Sequence, residues 1–103
     1  MAVEWYHRAA DQGDADARCY LGHCYYFGQG VEQNYNLAVE WYHRAADQGD
    51  ADAQCHLGHC YYFGQGLEQN YDTALEWYRL AADQSSKHRK TFRRMILTAA
   101  WYR

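Results

Sequence analysis

Apolar residues in the stretch 50–63 recur at intervals of three and four: Ala53, Leu57, Cys60, Tyr61 and Gly64 share one side of a helix turned at about 100° per residue. Asp50, directly after the breaker Gly49, suits its N-cap. The stretch 36–48 follows the same logic. Ala38, Trp41, Tyr42, Ala45 and Ala46 lie on one face, and Gly49 is a natural stop. Two such amphipathic helices predict an α/α hairpin. The connector over 28–35, Gly-Gln-Gly-Val-Glu-Gln-Asn-Tyr, supplies glycines for positive φ and polar residues that keep the backbone hydrated. The tyrosine that closes it, Tyr35 or Tyr71, is expected to pack onto the hairpin.

The hairpin recurs with a period of 36 residues. Residues 2–36 match 38–72 except at Arg18/Gln54, Tyr20/His56, Val31/Leu67 and Asn36/Asp72, and a third copy starts at Ala74 before breaking off. A single hairpin cannot bury its own apolar face, so the units must stack into a superhelix. The fold expected is therefore all-α, an α/α superhelical repeat solenoid.

The residues that carry the pattern, Ala53, Leu57, Gly58, Tyr61, Gly64, Gly66, Tyr71, Ala74, Trp77, Tyr78, Ala81 and Ala82, resemble the Sel-one-like repeat family, a relative of the tetratricopeptide repeat. The resemblance covers residues 2–84. It implies a right-handed solenoid acting as a non-enzymatic adaptor, with the first helix of each repeat lining a concave side. Residues 1–84 are thus read as a repeat array: the second helix of one repeat, then two first helices, each followed by its second helix. The apolar face of Met1 to Ala10 then needs cover, and a homodimer is one expected way to provide it. Residues 85–103 lose the Leu-Gly-x-x-Tyr pattern and read as a divergent, basic amphipathic capping helix.

Charge sharpens that division. Residues 1–84 hold all 13 acidic residues and only four arginines, a net of −9, whereas 85–103 hold six basic residues and no acid. In the basic segment Lys87, Arg89, Lys90, Arg93 and Arg94 precede an apolar stripe of Phe92, Met95, Ile96, Ala99 and Ala100. Such a helix can cap the last repeat or approach nucleic acid or an anionic membrane. The acidic body favours capping and disfavours nucleic acid. No apolar run reaches the ~18–20 residues of a membrane span, and Met1 is not followed by a secretory leader, so a cytoplasmic protein with reduced thiols is expected.

The Cys and His positions invite two chemical readings. Cys55, His56, His59 and Cys60 contain zinc-ligand types, but Cys55 lies roughly 140° around the helix from Cys60, and His56 is replaced by Tyr20 in the other copy. Cys19 and His23, at i and i+4, could pair as thiolate and imidazolium, yet nothing supplies an orienting acid or oxyanion donors. Cys19 and Cys24, five apart on one helix, exceed the ~7 Å Cα limit for a disulfide. Neither a metal, a cofactor nor a catalytic residue is assigned. The candidate site is instead the stripe turned away from Leu21 and Leu57: Tyr20, His23, Tyr26 and Phe27, then His56, His59, Tyr62 and Phe63. Aromatic and histidine side chains at helical spacing suit the capture of a partner peptide or helix. Asp16 and Asp52 beside them favour a basic partner. A thiol- or metal-dependent activity, or association through the basic helix, is the alternative.

Overall fold

A computed structural model describes residues 2–84; residues 85–103, on which the expectation of a capping helix with Lys87, Arg89, Lys90, Arg93 and Arg94 falls, lie outside the described residues. Among the described residues five helices follow one another: α1 (Ala2–Asp11), α2 (Ala15–Phe27), α3 (Tyr35–Asp47), α4 (Ala51–Phe63) and α5, described over 71–84. Among the described residues there is no strand.

The helix starts are set by short side chains that satisfy otherwise orphaned amides. Asp14, Asn34, Asp50 and Asn70 each accept a hydrogen bond at 3.1 Å from the backbone N–H three residues on. The second helix of the repeat therefore begins at Tyr35, one residue earlier than the apolar pattern suggests, because Asn34 is the cap. The first helices end at Gly28 and Gly64, whose left-handed conformation returns their amides to the carbonyls of Cys24 and Cys60. Gly64 is thus a C-cap and not a member of the buried face.

Two buried clusters run along the stack. In one, Ala10, Ala17, Leu21 and Trp41 join α1, α2 and α3. In the other, Cys19, Ala38, Tyr42, Ala45, Ala46, Ala53, Leu57 and Cys60 join α2, α3 and α4. Small residues dominate, so the helices approach closely and each large side chain matters more. Tyr42 is the largest fully buried one, 1% exposed. Its ring lies where a Cβ on Gly22 would stand 2.5 Å from two ring carbons. Gly22 is therefore needed for the close passage of α2 over α3, and Gly58 plays the same part against Tyr78.

The backbones of α2 and α4 approach within 8 Å, whereas α1 and α3 meet through side chains, His7 edge-on to Trp41 at 5.5 Å between ring centroids. The first helices α2 and α4 thus stand closer together than the second helices α1 and α3.

Candidate functional site

The eight residues of the predicted stripe all lie on α2 and α4, but they divide into two kinds. Tyr20, Phe27, Tyr62 and Phe63 are exposed, at 52%, 59%, 43% and 61%. His23, Tyr26, His56 and His59 are half-buried and serve the joints between helices. His23 Nδ1 lies 2.7 Å from the Tyr42 hydroxyl, and His59 Nδ1 lies 2.6 Å from that of Tyr78. Tyr26 donates its hydroxyl hydrogen to Gln65 Oε1 at 2.7 Å. His56 stacks on Tyr42, with ring centroids 5.4 Å apart and 16° between planes, and meets His23 edge-on at 4.4 Å. Helical spacing on one element cannot report such contacts, because they depend on where the next helix runs.

The exposed aromatics are braced from behind. Phe27 packs edge-on against Tyr26 at 4.8 Å, and Phe63 against Tyr62 at 4.9 Å. Tyr26 and Tyr62 in turn lean on Tyr35 and Tyr71, whose hydroxyls accept from Gln33 and Gln69 Nε2. The same two glutamine amides also reach the carbonyls of Tyr26 and Tyr62, tying each connector to the end of its first helix. The faces presented are thus held in place before any partner arrives, which lowers the entropy lost on binding.

Beside Tyr20 and His23 lies a hollow of ≈ 240 Å³ lined also by Cys19, Asp16, Asp50 and Asp52. Burial raises the Asp50 carboxyl above its usual range, and the carboxylates of Asp52 and Asp16 raise it further, against the Ala53 amide that lowers it. The hollow is a place of negative potential edged by an aromatic ring.

The thiols do not resemble nucleophiles. Cys19 Sγ is 3.7 Å from His23 Nε2, yet burial, followed by Asp50, Asp52 and Asp16, pushes its pKa up to about 12. Burial alone lifts Cys60 to about 11; burial also moves His23 toward the neutral form, and burial followed by His23 and His59 does the same to His56. A thiolate–imidazolium pair needs the opposite shifts. Among the described residues no three His, Cys, Asp or Glu side chains are grouped so as to hold a metal ion. In a timed alkylation at pH 8 read by mass spectrometry, partly exposed Cys55 is expected to be modified first and fully buried Cys60 last. Equal rates at the two would contradict this packing.

The family model of the Sel1 repeat matches residues 1–14, 15–50 and 51–86, with unit boundaries at the starts of α2 and α4. The chain belongs to the Sel1 repeat family. A Sel1 repeat protein from Oxalobacter formigenes is 40% identical, with a TM-score of 0.79 over 80% of this chain and 63% of its own length. The protective antigen c5321 of uropathogenic Escherichia coli, described as displaying an SLR fold, is also 40% identical, with a TM-score of 0.79, covering 81% of this chain and 18% of that one. Helicobacter pylori cysteine rich protein B, at 23% identity and a TM-score of 0.76, shares the fold over 80% of this chain and 62% of its own. The chain thus spans less than two thirds of each of these structures. No curated protein sequence matches it.

Sel1 repeat proteins generally act as protein–protein interaction scaffolds. No helix among the described residues is long and apolar enough to cross a membrane. One Sel1 position escaped the apolar pattern altogether: Gln54 is 1% exposed, its Nε2 donating to the Ala46 carbonyl at 3.1 Å. Its Oε1 has no hydrogen-bond partner among the described residues. In the preceding Sel1 unit Arg18 stands there, its Nε donating to the equivalent Ala10 carbonyl at 3.0 Å and Nη1 to Gln48 Oε1. A long donor in both copies was the available sign that this place serves a helix end.

Proposed function

We propose that this Sel1 array is a scaffold that grips a segment of a partner protein on the aromatic face of α2 and α4, with Tyr20, Phe27, Tyr62 and Phe63 as the gripping side chains. His23, Tyr26, His56 and His59 act behind them by fixing the helix spacing. The observation that carries this reading is four large aromatics exposed on adjacent first helices, of which only Phe27 and Phe63 are equivalent positions of the two repeats. Aromatic side chains give large contact area for few frozen rotamers, and anchors of this kind dominate interfaces. The hollow bounded by Asp16, Asp50 and Asp52 favours a partner with lysine or arginine next to its apolar residues.

Selection of peptides from a random display library on the full chain tests this directly. The selected sequences are expected to combine a basic residue with apolar or aromatic ones. A chain carrying Tyr20→Ala, Phe27→Ala, Tyr62→Ala and Phe63→Ala should bind them at least tenfold more weakly, about 1.4 kcal/mol or more, with helical circular dichroism retained. Undiminished binding by the helical variant would refute this face.

A further inference from the structure

Two histidines stand where the first helices meet. His23 of α2 and His56 of α4 face each other edge-on with ring centroids 4.4 Å apart. Both also touch Tyr42 of α3, His23 edge-on at 5.3 Å and His56 flat at 5.4 Å. His23 has a second place as well: it lines the hollow of ≈ 240 Å³ together with Asp16, Asp50 and Asp52, where a lysine or arginine of the partner would sit. A proton on His23 and a cation in the hollow therefore compete for the same three carboxylates.

We infer that the His23 and His56 pair makes the grip let go in mild acid, protons on the two rings displacing the partner's basic side chain from the hollow and pushing α2 away from α4. This regulation rests on the aromatic face of α2 and α4 being the grip. Two effects act in one direction. An imidazolium at His23 cancels part of the negative potential that attracts the partner. Two charged rings 4.4 Å apart also repel, and both are half-buried, so water screens them weakly. Tyr20 and Phe27 ride on α2 while Tyr62 and Phe63 ride on α4, so a change of helix spacing takes the two halves of the grip out of register.

The groups facing the pair come from α2, α3 and α4. On α2 they are Asp16, Tyr20 and Cys19, whose Sγ lies 3.7 Å from His23 Nε2. On α3 the Tyr42 hydroxyl lies 2.7 Å from His23 Nδ1, and on α4 stand His59, Asp52 and the capping Asp50. The carboxylates favour a charged ring and burial opposes it. Burial prevails, so both rings are neutral near pH 7 while the helices are closed. Opening admits water and returns the rings toward 6.5, so the open form takes up protons that the closed form refuses. By reciprocity a bound partner makes the rings harder to protonate.

The test uses the full chain and a peptide selected on it by display at pH 7, chosen to contain no Asp, Glu or His so that its own charge is constant down to pH 5. Its affinity by titration calorimetry should fall about threefold or more from pH 7 to pH 5. The ratio of the two affinities should shrink in His56→Tyr and again in His23→Gln, neither of which can take up the proton. Without peptide, cross-peaks between the His23 and His56 ring protons should be present at pH 7 and lost at pH 5, with helical circular dichroism retained. Equal affinity at the two pH values, an undiminished ratio in both variants, or cross-peaks that persist at pH 5 or vanish only with the helical signal would each overturn the release and leave the aromatic face standing. Failure to select any peptide, or peptide-induced shifts away from Tyr20, Phe27, Tyr62 and Phe63, would overturn the face and the release with it.

Discussion

Replacing Tyr42 by alanine is expected to cost about 3–5 kcal/mol, the range for deleting a buried aromatic ring, and so to remove much of the ~5–15 kcal/mol that holds a small domain folded. Three contacts are lost together. The space above Gly22 becomes a cavity, His56 loses the ring it stacks on, and His23 Nδ1 loses its hydroxyl partner in a half-buried setting. Because α2, α3 and α4 meet at this one side chain, the loss falls on two joints and not on one helix. Tyr42→Phe separates the contributions: the ring stays and only the hydroxyl goes, which should cost about 1 kcal/mol. Urea unfolding followed by circular dichroism measures both. A Tyr42→Ala midpoint close to the parent would show that the ring is not the pin of the stack.

Acid should loosen the same joint. His56 is held neutral, its pKa lowered from 6.5 to about 4, first by burial and then by His23 and His59, with Asp52 acting the other way. His23 is lowered as well, by burial, against Asp52 and Asp50. The groups around the pair are Tyr42 on α3, His23, Cys19 and Tyr20 on α2, and Asp50, Asp52 and His59 at or on α4. The folded state thus binds fewer protons than the unfolded one wherever the pH lies between about 4 and 6.5, so stability falls as pH falls through that window and is fully present above it. With water reaching part of the His56 ring, the expected loss is on the order of 1–2 kcal/mol. Protonation of both rings would set like charges side by side at the 4.4 Å contact. His56→Tyr, which copies the residue of the preceding repeat, should make the acid limb shallower. An unchanged profile in that variant would remove His56 from the account.

Much of the fold was legible because the chain states its pattern twice. The period, the capping residue Asp50 and the five α3 positions Ala38, Trp41, Tyr42, Ala45 and Ala46 follow from sequence, and all five are buried. An apolar face and a helix cap are local properties, and local spacing is enough to read them. Gln54 shows the limit: polarity argues for exposure, while the Ala46 carbonyl at a neighbouring helix end, which also accepts from the Gly49 amide, draws the side chain inward. The candidate site shows the same limit. Angular position puts His23 and Phe27 on one face alike, yet His23 reaches Tyr42 across the joint and Phe27 does not. That distinction depends on the distance between helices, which is set by Gly22 and by the alanines beneath it.

The clasp around Tyr42, a glycine and histidine from the helix before it and an aromatic ring from the helix after it, also restricts how such an array can change its length. Inserting or deleting 36 residues within the array returns a tyrosine placed like Tyr42 to a glycine on one side and a ring on the other, wherever in the unit the cut is made. A step of one helix would set second helices against each other and bring Tyr6 toward Tyr42 with no glycine between them. Growth by whole periods is therefore close to neutral for the joints, and the two nearly identical copies in this chain are what a recent step of that size would leave behind.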